Sequence, residues 1–425
     1  MLTSKNTHIH WFVNDLRLTD QPFLRLLEQK THHFGVYIID PRKQRLLKEG
    51  FRKTGMQRLQ FLREHLIDLQ QQYRALGSDL LVMKGYPEEV IPNIVKEYDA
   101  TLSFQLEYST EERYIQESIR NLLDDDHIFS YDGNFLLLPS YFNYVHFPTS
   151  FSGFRNKAEK ILKSITPNPE RPLTLPKSAG SFTTINARTY KRHEKTVFPF
   201  SGGEKAALQR LNNYLFETHA VDAYKEKRNG LLGTDYSSKL SPWLASGAIS
   251  PGTILSKLKS YETNFGTNQG TYWLVFELLW RDYFRHAGKY YRDRLFYSSG
   301  INNVQKNQSN NFEAFKDWAK GRTGNKFIDA NMRELALTGY MSNRGRQNVA
   351  SYLVHNMNIS WNLGAAWFEQ NLLDYDVYSN QGNWMYIVGV GFNPKGAAVF
   401  DIDFQTERYD PTASYQNQWI NENIS

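Results

Sequence analysis

The sequence contains no cysteine and no long uncharged apolar run. Without thiols the chain cannot form disulfides, hold iron–sulfur clusters or cysteine-ligated zinc, or use a thiolate as a nucleophile. No apolar run reaches the roughly 18 residues that cross a bilayer. The start, MLTSKNTHIHWFVNDLRL, also lacks the cationic and apolar regions of a signal peptide. These absences predict a cytoplasmic protein that does not enter a membrane.

Several catalytic and metal-binding signatures are absent as well. The chain has no GxxxxGK[ST], HExxH or GxSxG motif, and GVGFNPKG matches a dinucleotide-binding fingerprint only in part. His8 and His10 fall on one face of a predicted strand, but no further ligand lies nearby in the sequence. A structural role explains this pair better than a metal site does. We therefore expect no metal.

The sequence is rich in aromatic side chains and has more basic than acidic residues. The 425 residues include 27 Phe, 26 Tyr and 9 Trp, and the net charge is +6. Aromatic rings fill cores, and they also stack on planar ligands such as nucleobases and flavins. A basic surface permits an anionic partner, of which nucleic acid is the commonest. The length suits two or three domains, each with its own core.

The pattern of apolar residues divides the chain into three parts. Predicted strands cover residues 8–13, 33–40, 79–85 and 100–107, and predicted helices between them cover 56–76 and 87–98. Such alternation predicts a parallel sheet in an α/β domain over residues 1–135. Residues 136–200 are rich in Pro, Ser, Thr and charge, which predicts a linker. Residues 201–425 are predicted to form a mostly helical domain.

Two segments of the helical half place polar groups where chemistry is possible. YKEKRNGLLGTDYSSKLSPWLASGAISP puts Ser237, Ser238 and Ser241 in a loop before a helix, which suits either phosphate binding or simple capping. TYWLVFELLWRDYFRHAGKYY embeds Glu277 in an aromatic stripe. A buried carboxylate needs a partner or a use. Arg281, one helical turn later, is the candidate partner.

Two further segments follow. GYMSNRGRQNVASYLVHNMNISW groups Asn343, Arg344, Arg346 and Gln347 at the start of an apolar helix. Arginine suits phosphate or carboxylate, and the amides suit the edges of bases or flavins, with capping and surface exposure as the alternative. DYDVYSNQGNWMY places two carboxylates and several amides between the most apolar stretches of the chain. Such polar clustering beside buried sequence indicates a binding surface.

In their order and approximate spacing, these segments resemble the photolyase/cryptochrome family. YSSKLSPWLASG, FELLWRDYF, NRGRQNVASYL and DYDVYSNQGNW carry the resemblance, with WFVNDLRLTD near the start and YDPTASYQNQW near the end. NRGRQNVAS and NWMY further resemble the DASH cryptochromes, since Gln347 and Tyr386 stand where duplex-specific photolyases usually have Met and Trp. The resemblance implies an α/β plus all-α architecture: an N-terminal Rossmann-like parallel-sheet domain, a long linker and a C-terminal helical FAD-binding domain.

The resemblance also implies the residues that contact FAD. Asp374 and Asp376 resemble the carboxylates beside the flavin and its ribityl–adenine fold. Asn380 resembles the residue that faces flavin N5, where an amide tunes the flavin without adding charge. Arg346 resembles the arginine that balances the negative charge of the flavin. The full set of implied FAD contacts is Tyr224, Ser237, Ser238, Leu240, Ser241, Arg281, Asn343, Arg346, Asp374, Asp376 and Asn380.

A lesion pocket follows from the same resemblance. Glu277 resembles the group that hydrogen-bonds a flipped pyrimidine pair, and burial there would raise its pKa so that it can donate as an acid. Trp280 resembles the stacking wall of that pocket. The implied catalytic residues are Glu277, Asn343 and Asn380. The implied DNA and lesion contacts are Arg228, Glu277, Trp280, Arg344, Gln347 and Tyr386.

The electron-transfer path and the DNA rim depart from the family pattern. Trp384 and Trp361 resemble the inner two members of the tryptophan chain that reduces FAD in light. The usual outer member is missing from INNVQKNQSNN, and we consider Trp318 or a nearby tyrosine in its place. In GFNPKGAAVFDID, Ala397 and Ala398 replace usual basic residues, which predicts weaker DNA binding at this rim.

The implied function is light-driven repair of cyclobutane pyrimidine dimers, mainly in single-stranded DNA, by electron transfer from excited FADH⁻. The enzyme would be of the deoxyribodipyrimidine photo-lyase type and act as a monomer. A blue-light photoreceptor that signals through flavin photoreduction is the alternative, and a flavin redox protein without DNA is a third possibility. The family also implies a folate antenna, 5,10-methenyltetrahydrofolate, between the domains. Glu107 and Glu111 in FQLEYSTEE are its candidate contacts, or else solvated acids after a strand.

Overall fold

The computed structural model describes residues 6–164, 173–186 and 190–422. Its N-terminal part is a five-stranded parallel sheet with the strand order β3-β2-β1-β4-β5. The strands are β1 (Thr7–Phe12), β2 (His32–Ile39), β3 (Leu80–Lys84), β4 (Ala100–Gln105) and β5 (Ile128–Tyr131). The chain order reverses between β1 and β4. The predicted parallel α/β arrangement is confirmed, with one further short strand, β5, that sequence analysis missed.

Helices cover both faces of the sheet because strand residues alternate between two apolar cores. Ile9 and Trp11 of β1 pack under α2 (Pro87–Glu97) and α3 (Thr110–Arg120). Phe12 packs on the opposite face under α1 (Met56–Ala75). Because both of its faces are buried, β1 has no solvent-facing side. Its polar side chains, His8 and His10, are therefore buried as well.

His8 and His10 lie on the α1 side of β1 in a buried network. His10 Nε2 lies 3.0 Å from Asp15 Oδ2, and its Nδ1 lies 2.8 Å from Ser103 Oγ. The Nδ1 atoms of His8 and His33 are 3.0 Å apart. These contacts give the histidine pair the structural role that sequence analysis favoured.

The segment predicted as a linker contributes to the core of the helical half. Helix α4 (Phe151–Leu162) begins at Ser150, whose side chain accepts a hydrogen bond from the N–H of Gly153. Phe151, Phe154 and Leu162 are buried in the same core as the C-terminal helices. Residues 165–172 and 187–189 of the predicted linker lie outside the described residues.

The C-terminal half is helical, as predicted. Its central helix is α9 (Gln269–Tyr291), which begins with a capping box formed by Asn268 and Thr271. Short π-helical segments at Asn213–Glu217 and Tyr352–Asn356 continue α5 and α12. The other helices are α5 (Glu204–Asn212), α6 (Tyr224–Lys227), α7 (Ser241–Ser246), α8 (Pro251–Phe265), α10 (Phe312–Ala319), α11 (Lys326–Thr338), α12 (Asn343–Ser351), α13 (Trp361–Asn371), α14 (Val377–Val388), α15 (Ile402–Tyr409) and α16 (Ser414–Trp419).

Helix α14 was not predicted as a helix, and it carries the polar cluster of DYDVYSNQGNWMY. Asp376 caps it by accepting a hydrogen bond from the N–H of Ser379 at 2.8 Å. A carboxylate is a strong helix N-cap, which explains why the chain turns helical within this polar stretch. Within the described residues, no helix is both long and apolar enough to cross a bilayer.

Candidate functional site

A cavity of about 250 Å³ opens in the helical domain between α6, α7, α9, α12 and the start of α14. Every predicted FAD contact except Asn380 lines it, together with Arg228 and Glu277 from the predicted lesion set. Sequence analysis did not select the remaining lining residues, which are Tyr236, Lys239, Leu244, Ala245, Ile254, Leu274, Leu278, Tyr340 and Ser379. The structure therefore brings most of the predicted FAD set and two of the six predicted lesion contacts into one cavity.

An arginine–carboxylate pair forms one wall of the cavity. Arg346 donates to Asp374 Oδ2 at 2.9 Å and to the carbonyl of Met341 at 2.9 Å. Burial opposes the charge of Arg346, but Asp374 and Tyr340 offset this cost, so the pKa of Arg346 is raised. Arg346 therefore keeps its positive charge beside the Asp374 carboxyl group.

Three buried polar atoms on the cavity wall have no hydrogen-bond partner in the part of the chain that the structure describes. They are Asp374 Oδ1, Lys239 Nζ and Tyr236 Oη. Lys239 lies over the rings of Tyr236 and Tyr340, and burial lowers its pKa well below the usual value. Buried polar atoms are almost always paired in a functional protein. A ligand with both hydroxyl and phosphate groups, such as FAD, would satisfy this donor and acceptor set.

Asn380 lies one helical turn after Asp376 on α14. Its Nδ2 donates to the carbonyl of Ala365 at 3.1 Å. Because a carbonyl can only accept, the amide nitrogen must face Ala365, which leaves Oδ1 to act as an acceptor. Oδ1 can thus accept a hydrogen bond from a ligand N–H, which suits the predicted position at flavin N5.

Glu277 and Arg228 form a direct ion pair at the cavity, from α9 and the end of α6. Burial raises the pKa of Glu277, and the charge of Arg228 opposes that shift. The predicted alternative, a pair between Glu277 and Arg281, is wrong. Arg281 donates instead to the Asn134 carbonyl at 2.9 Å and to the Leu244 carbonyl at 3.3 Å. It reaches the α/β domain, which i, i+4 spacing cannot reveal.

Trp280 forms an aromatic wall with a residue that sequence analysis missed. Its ring stacks on Phe151 at 3.7 Å between centroids, with planes 12° apart. Tyr386 meets it edge-on at 6.2 Å. Phe151 lies in α4, within the predicted linker. In the sequence, Phe151 is marked only as an apolar residue that directly follows Ser150.

The remaining predicted DNA contacts lie on α12. Arg344 donates to Asn229 Oδ1 at 3.1 Å and lies 4.7 Å from the centroid of the Tyr409 ring. Burial lowers its pKa, and Arg228 and Arg408 lower it further because like charges repel. Gln347 keeps a buried, unpartnered Oε1 among the described residues. Arg344 and Arg228 thus supply positive charge to one side of the cavity.

The predicted electron donors are all buried. Trp384 contacts Trp318 at 6.4 Å and Phe368 at 5.2 Å. Gly364, three residues after Trp361, packs so closely on Trp384 that a Cβ would lie 2.2 Å from its ring. Trp318 is fully buried, so it is an inner neighbour of Trp384 and does not reach the surface as an outer donor would.

An exposed tyrosine lies next to the backbone group that Trp361 contacts. The indole N–H of Trp361 donates to the Ser298 carbonyl at 3.0 Å. Tyr297, the preceding residue, is 54% exposed. Sequence analysis named a nearby tyrosine only in general terms, and Tyr297 lies four residues before INNVQKNQSNN, the segment that lacks the usual tryptophan.

The two predicted antenna contacts do not meet. Glu107 is buried at the end of β4. Glu111 is about half exposed on α3 and forms an ion pair with Lys53. The two carboxylates therefore do not form a shared acidic site.

Comparison with known proteins agrees with this geometry. The family model for DNA photolyase matches residues 8–173, and the model for the FAD binding domain of DNA photolyase matches residues 273–424. A cryptochrome DASH of Gloeobacter violaceus is 40% identical over 431 residues, which cover 99% of this chain and 86% of the relative. The chain belongs to the photolyase/cryptochrome family. Its curated relatives place it in the DASH branch.

Solved structures support the same assignment. A Synechocystis cryptochrome matches with a TM-score of 0.93 and 40% identity, covering 98% of this chain and 89% of that one. A Sulfolobus tokodaii photolyase, solved with two FAD molecules, matches with a TM-score of 0.76 and 27% identity, covering 98% and 90%. The predicted family and fold class are confirmed, and FAD is the cofactor of the matched domain.

Proposed function

We propose that the chain repairs cyclobutane pyrimidine dimers in light, mainly in single-stranded DNA, with FAD held in the cavity. One observation carries the proposal: Glu277 and Arg228 line the same cavity as Arg346, Asp374 and Asp376. A lesion held by the first pair would lie close to a flavin held by the others. Bound FAD in its reduced form supplies the light-driven electron.

Each residue at the lesion side makes a different contact with the bound DNA. Glu277 separates from its ion-pair partner Arg228 when the lesion binds. Because its pKa is raised, it can then donate a hydrogen bond to a pyrimidine carbonyl. Arg228, freed in part, binds a backbone phosphate. Trp280 offers one ring face to the pyrimidine pair, since Phe151 covers the other. Each contact stabilises the extruded lesion.

Preference for single strands follows from the cost of extrusion. Flipping a base pair out of a duplex costs a few kcal/mol, and a single strand avoids most of that cost. Ala397 and Ala398 replace usual basic residues in the loop 391–403, which keeps one basic side chain, Lys395. Fewer phosphate contacts reduce the energy available to open a duplex.

A Glu277→Gln variant tests the proposal. We expect repair of a dimer-containing single strand to fall by roughly tenfold or more, because the neutral amide cannot transfer a proton as a carboxylic acid does. FAD content should stay at the wild-type level. Glu226→Gln, which changes an exposed acid on the adjacent helix α6, should repair normally. Absence of dimer repair by the reduced, illuminated wild-type protein would contradict the proposal.

Photoreception is the second candidate, and the buried path from Trp384 toward Trp361 favours it. Such a receptor needs light-driven reduction of FAD and no lesion chemistry. Trp361→Phe should slow photoreduction of bound FAD far more than it slows repair by protein reduced beforehand with dithionite. If repair alone is lost in Trp361→Phe, the path does not serve photoreduction. A monomeric, cytoplasmic protein is our prediction under either function.

A further inference from the structure

The sheet has a crevice where ligands usually bind in this type of fold. Ligands of open α/β sheets lie outside the carboxyl ends of strands where the strand order reverses. Here that point lies between β1 and β4. Asn14 follows β1 and Glu107 follows β4, and Asn14 Nδ2 donates to Glu107 Oε1 at 3.3 Å. Glu107, the predicted folate contact, is therefore at the crevice.

The side chain of Tyr378 fills this crevice. Tyr378 comes from the first turn of α14 and is 1% exposed. Its hydroxyl donates to Glu107 Oε2 at 2.9 Å and accepts from the N–H groups of Tyr108 at 2.7 Å and Ser109 at 3.1 Å. A phenol has one donor and two acceptor sites, so all of its hydrogen-bonding capacity is used.

The other oxygen of Glu107 is also occupied. Oε1 accepts from Arg285 at 3.0 Å and from Gln105 at 2.9 Å, in addition to Asn14. Burial opposes the charge of Arg285, but Glu107 offsets this and raises the arginine's pKa. A pterin presents N–H donors that need a free acceptor. Glu107 Oε2 is bonded to Tyr378, and the nearest unpartnered acceptor among the described residues is Gln105 Oε1, so a pterin would reach Glu107 only where the Tyr378 side chain gives way.

Packing holds Tyr378 in this position. A Cβ added to Gly288 would lie 2.2 Å from Tyr378 Cδ1, so the ring rests directly on the backbone of α9. The guanidinium of Arg285 lies 4.9 Å from the centroid of the same ring. Moving the side chain would break three hydrogen bonds and expose a buried ring. The predicted second contact, Glu111, is on the protein surface.

We propose that Tyr378 occupies the crevice in place of an antenna molecule, and that this chain binds no folate there. This disagrees with the folate predicted from the family resemblance, and it does not depend on the repair activity. Tyr378 also joins α14, which carries Asn380 and Trp384, to the loop after β4. It therefore fixes the cavity helix against the α/β domain, where a bound chromophore would otherwise lie between them.

Folate binding to purified, FAD-containing protein tests the proposal. Wild-type protein titrated with 5,10-methenyltetrahydrofolate should show no saturable near-UV band and no one-to-one binding in equilibrium dialysis. Tyr378→Phe, which keeps the ring, should behave like the wild type. Tyr378→Ala should gain one saturable site. Tyr375→Ala is the comparison variant, because its ring lies over Arg58, whereas Tyr378 lies against Gly288 and bonds to Glu107.

FAD content, measured separately by visible absorption, reports whether each variant is folded. One-to-one folate binding by wild type or by Tyr378→Phe overturns the proposal, and so does a folded Tyr378→Ala variant that binds none. The same titration with excess FAD tests whether a second flavin serves as the antenna. If wild-type protein binds a second equivalent of FAD, and Tyr378→Ala does not change that binding, the proposal is also overturned. If Tyr378→Ala loses FAD and does not fold, the wild-type and Tyr378→Phe titrations decide.

Discussion

The α/β domain and the helical domain both bury polar side chains, but they satisfy them differently. In the α/β domain, Asp15 accepts hydrogen bonds from Tyr131 and pairs with His10. In the helical domain, Asp374 and Lys239 each keep an unpartnered atom at the cavity, within the described residues. A closed polar network rigidifies a scaffold, whereas open polar atoms require a ligand. Unpartnered atoms also occur in the α/β domain, at His8 Nε2 and Gln105 Oε1, whereas in the helical domain those of Asp374, Lys239 and Tyr236 line one cavity.

The crevice between the domains extends this comparison. Its position in the sheet favours a ligand, yet both oxygens of Glu107 accept hydrogen bonds from the chain itself. If Tyr378 fills the crevice as proposed, the side chains packed there outweigh the fold position.

The strongest test of the contrast is Arg346→Ala in the helical domain. The substitution leaves the buried carboxylate of Asp374 without its cation, which costs about 3–5 kcal/mol. We expect loss of bound FAD and a clear drop in the free energy of unfolding. Arg408→Ala, an exposed arginine on α15, should change neither. Retention of FAD at wild-type stability in Arg346→Ala would show that the cavity pair is dispensable.

A smaller effect concerns Glu334, which is buried in α11 and accepts a hydrogen bond from Tyr415 at 2.6 Å. Burial raises its pKa to about 7. The folded state thus holds this proton up to a higher pH than the unfolded state does. Its contribution is complete below about pH 4.5 and is lost as pH rises through 7, by about 3 kcal/mol. Glu334→Gln should flatten the decline of Tm between pH 5 and 8, and an unchanged slope would contradict this.

The smallest effect is expected in the α/β domain, and it has the opposite sign. Burial lowers the pKa of His33 to about 3 and that of His8 well below its usual value. Here the unfolded state binds protons first, so stability is complete above about pH 6.5 and falls as pH drops. For His33 the loss is about 2 kcal/mol between pH 6.5 and 5.

Replacing one of these histidines checks that prediction. His33→Asn should reduce the acid-side slope of the urea midpoint by one proton. His32→Asn, at a neighbouring exposed histidine, should leave it unchanged. Equal slopes in all three proteins would mean that the histidine network does not set the acid response.

Local pattern was enough for the fold class, and the family resemblance supplied most of the cavity residues. Alternating apolar strands and helices predicted the parallel sheet, because burial on each face follows from the period of the side chains. The FAD contacts were found together because they fall within a few short motifs. Lys239 lies inside one such motif, SSKLS, and could have been chosen with its neighbours. Tyr340 lies inside another, GYMSNRGRQNVASYLVHNMNISW, and could have been chosen in the same way.

Long-range partners were decided only by tertiary structure. Glu277 pairs with Arg228, Phe151 stacks on Trp280, and Tyr378 bonds to Glu107. Spacing along a helix shows which face a side chain is on, but not which distant element packs there. By itself, the sequence determined the family, the two-domain fold and the cofactor. The packing of α4, α6 and α14 against α9 and the sheet decided which polar groups are left open for a ligand, because hydrogen-bond satisfaction depends on contacts between distant segments.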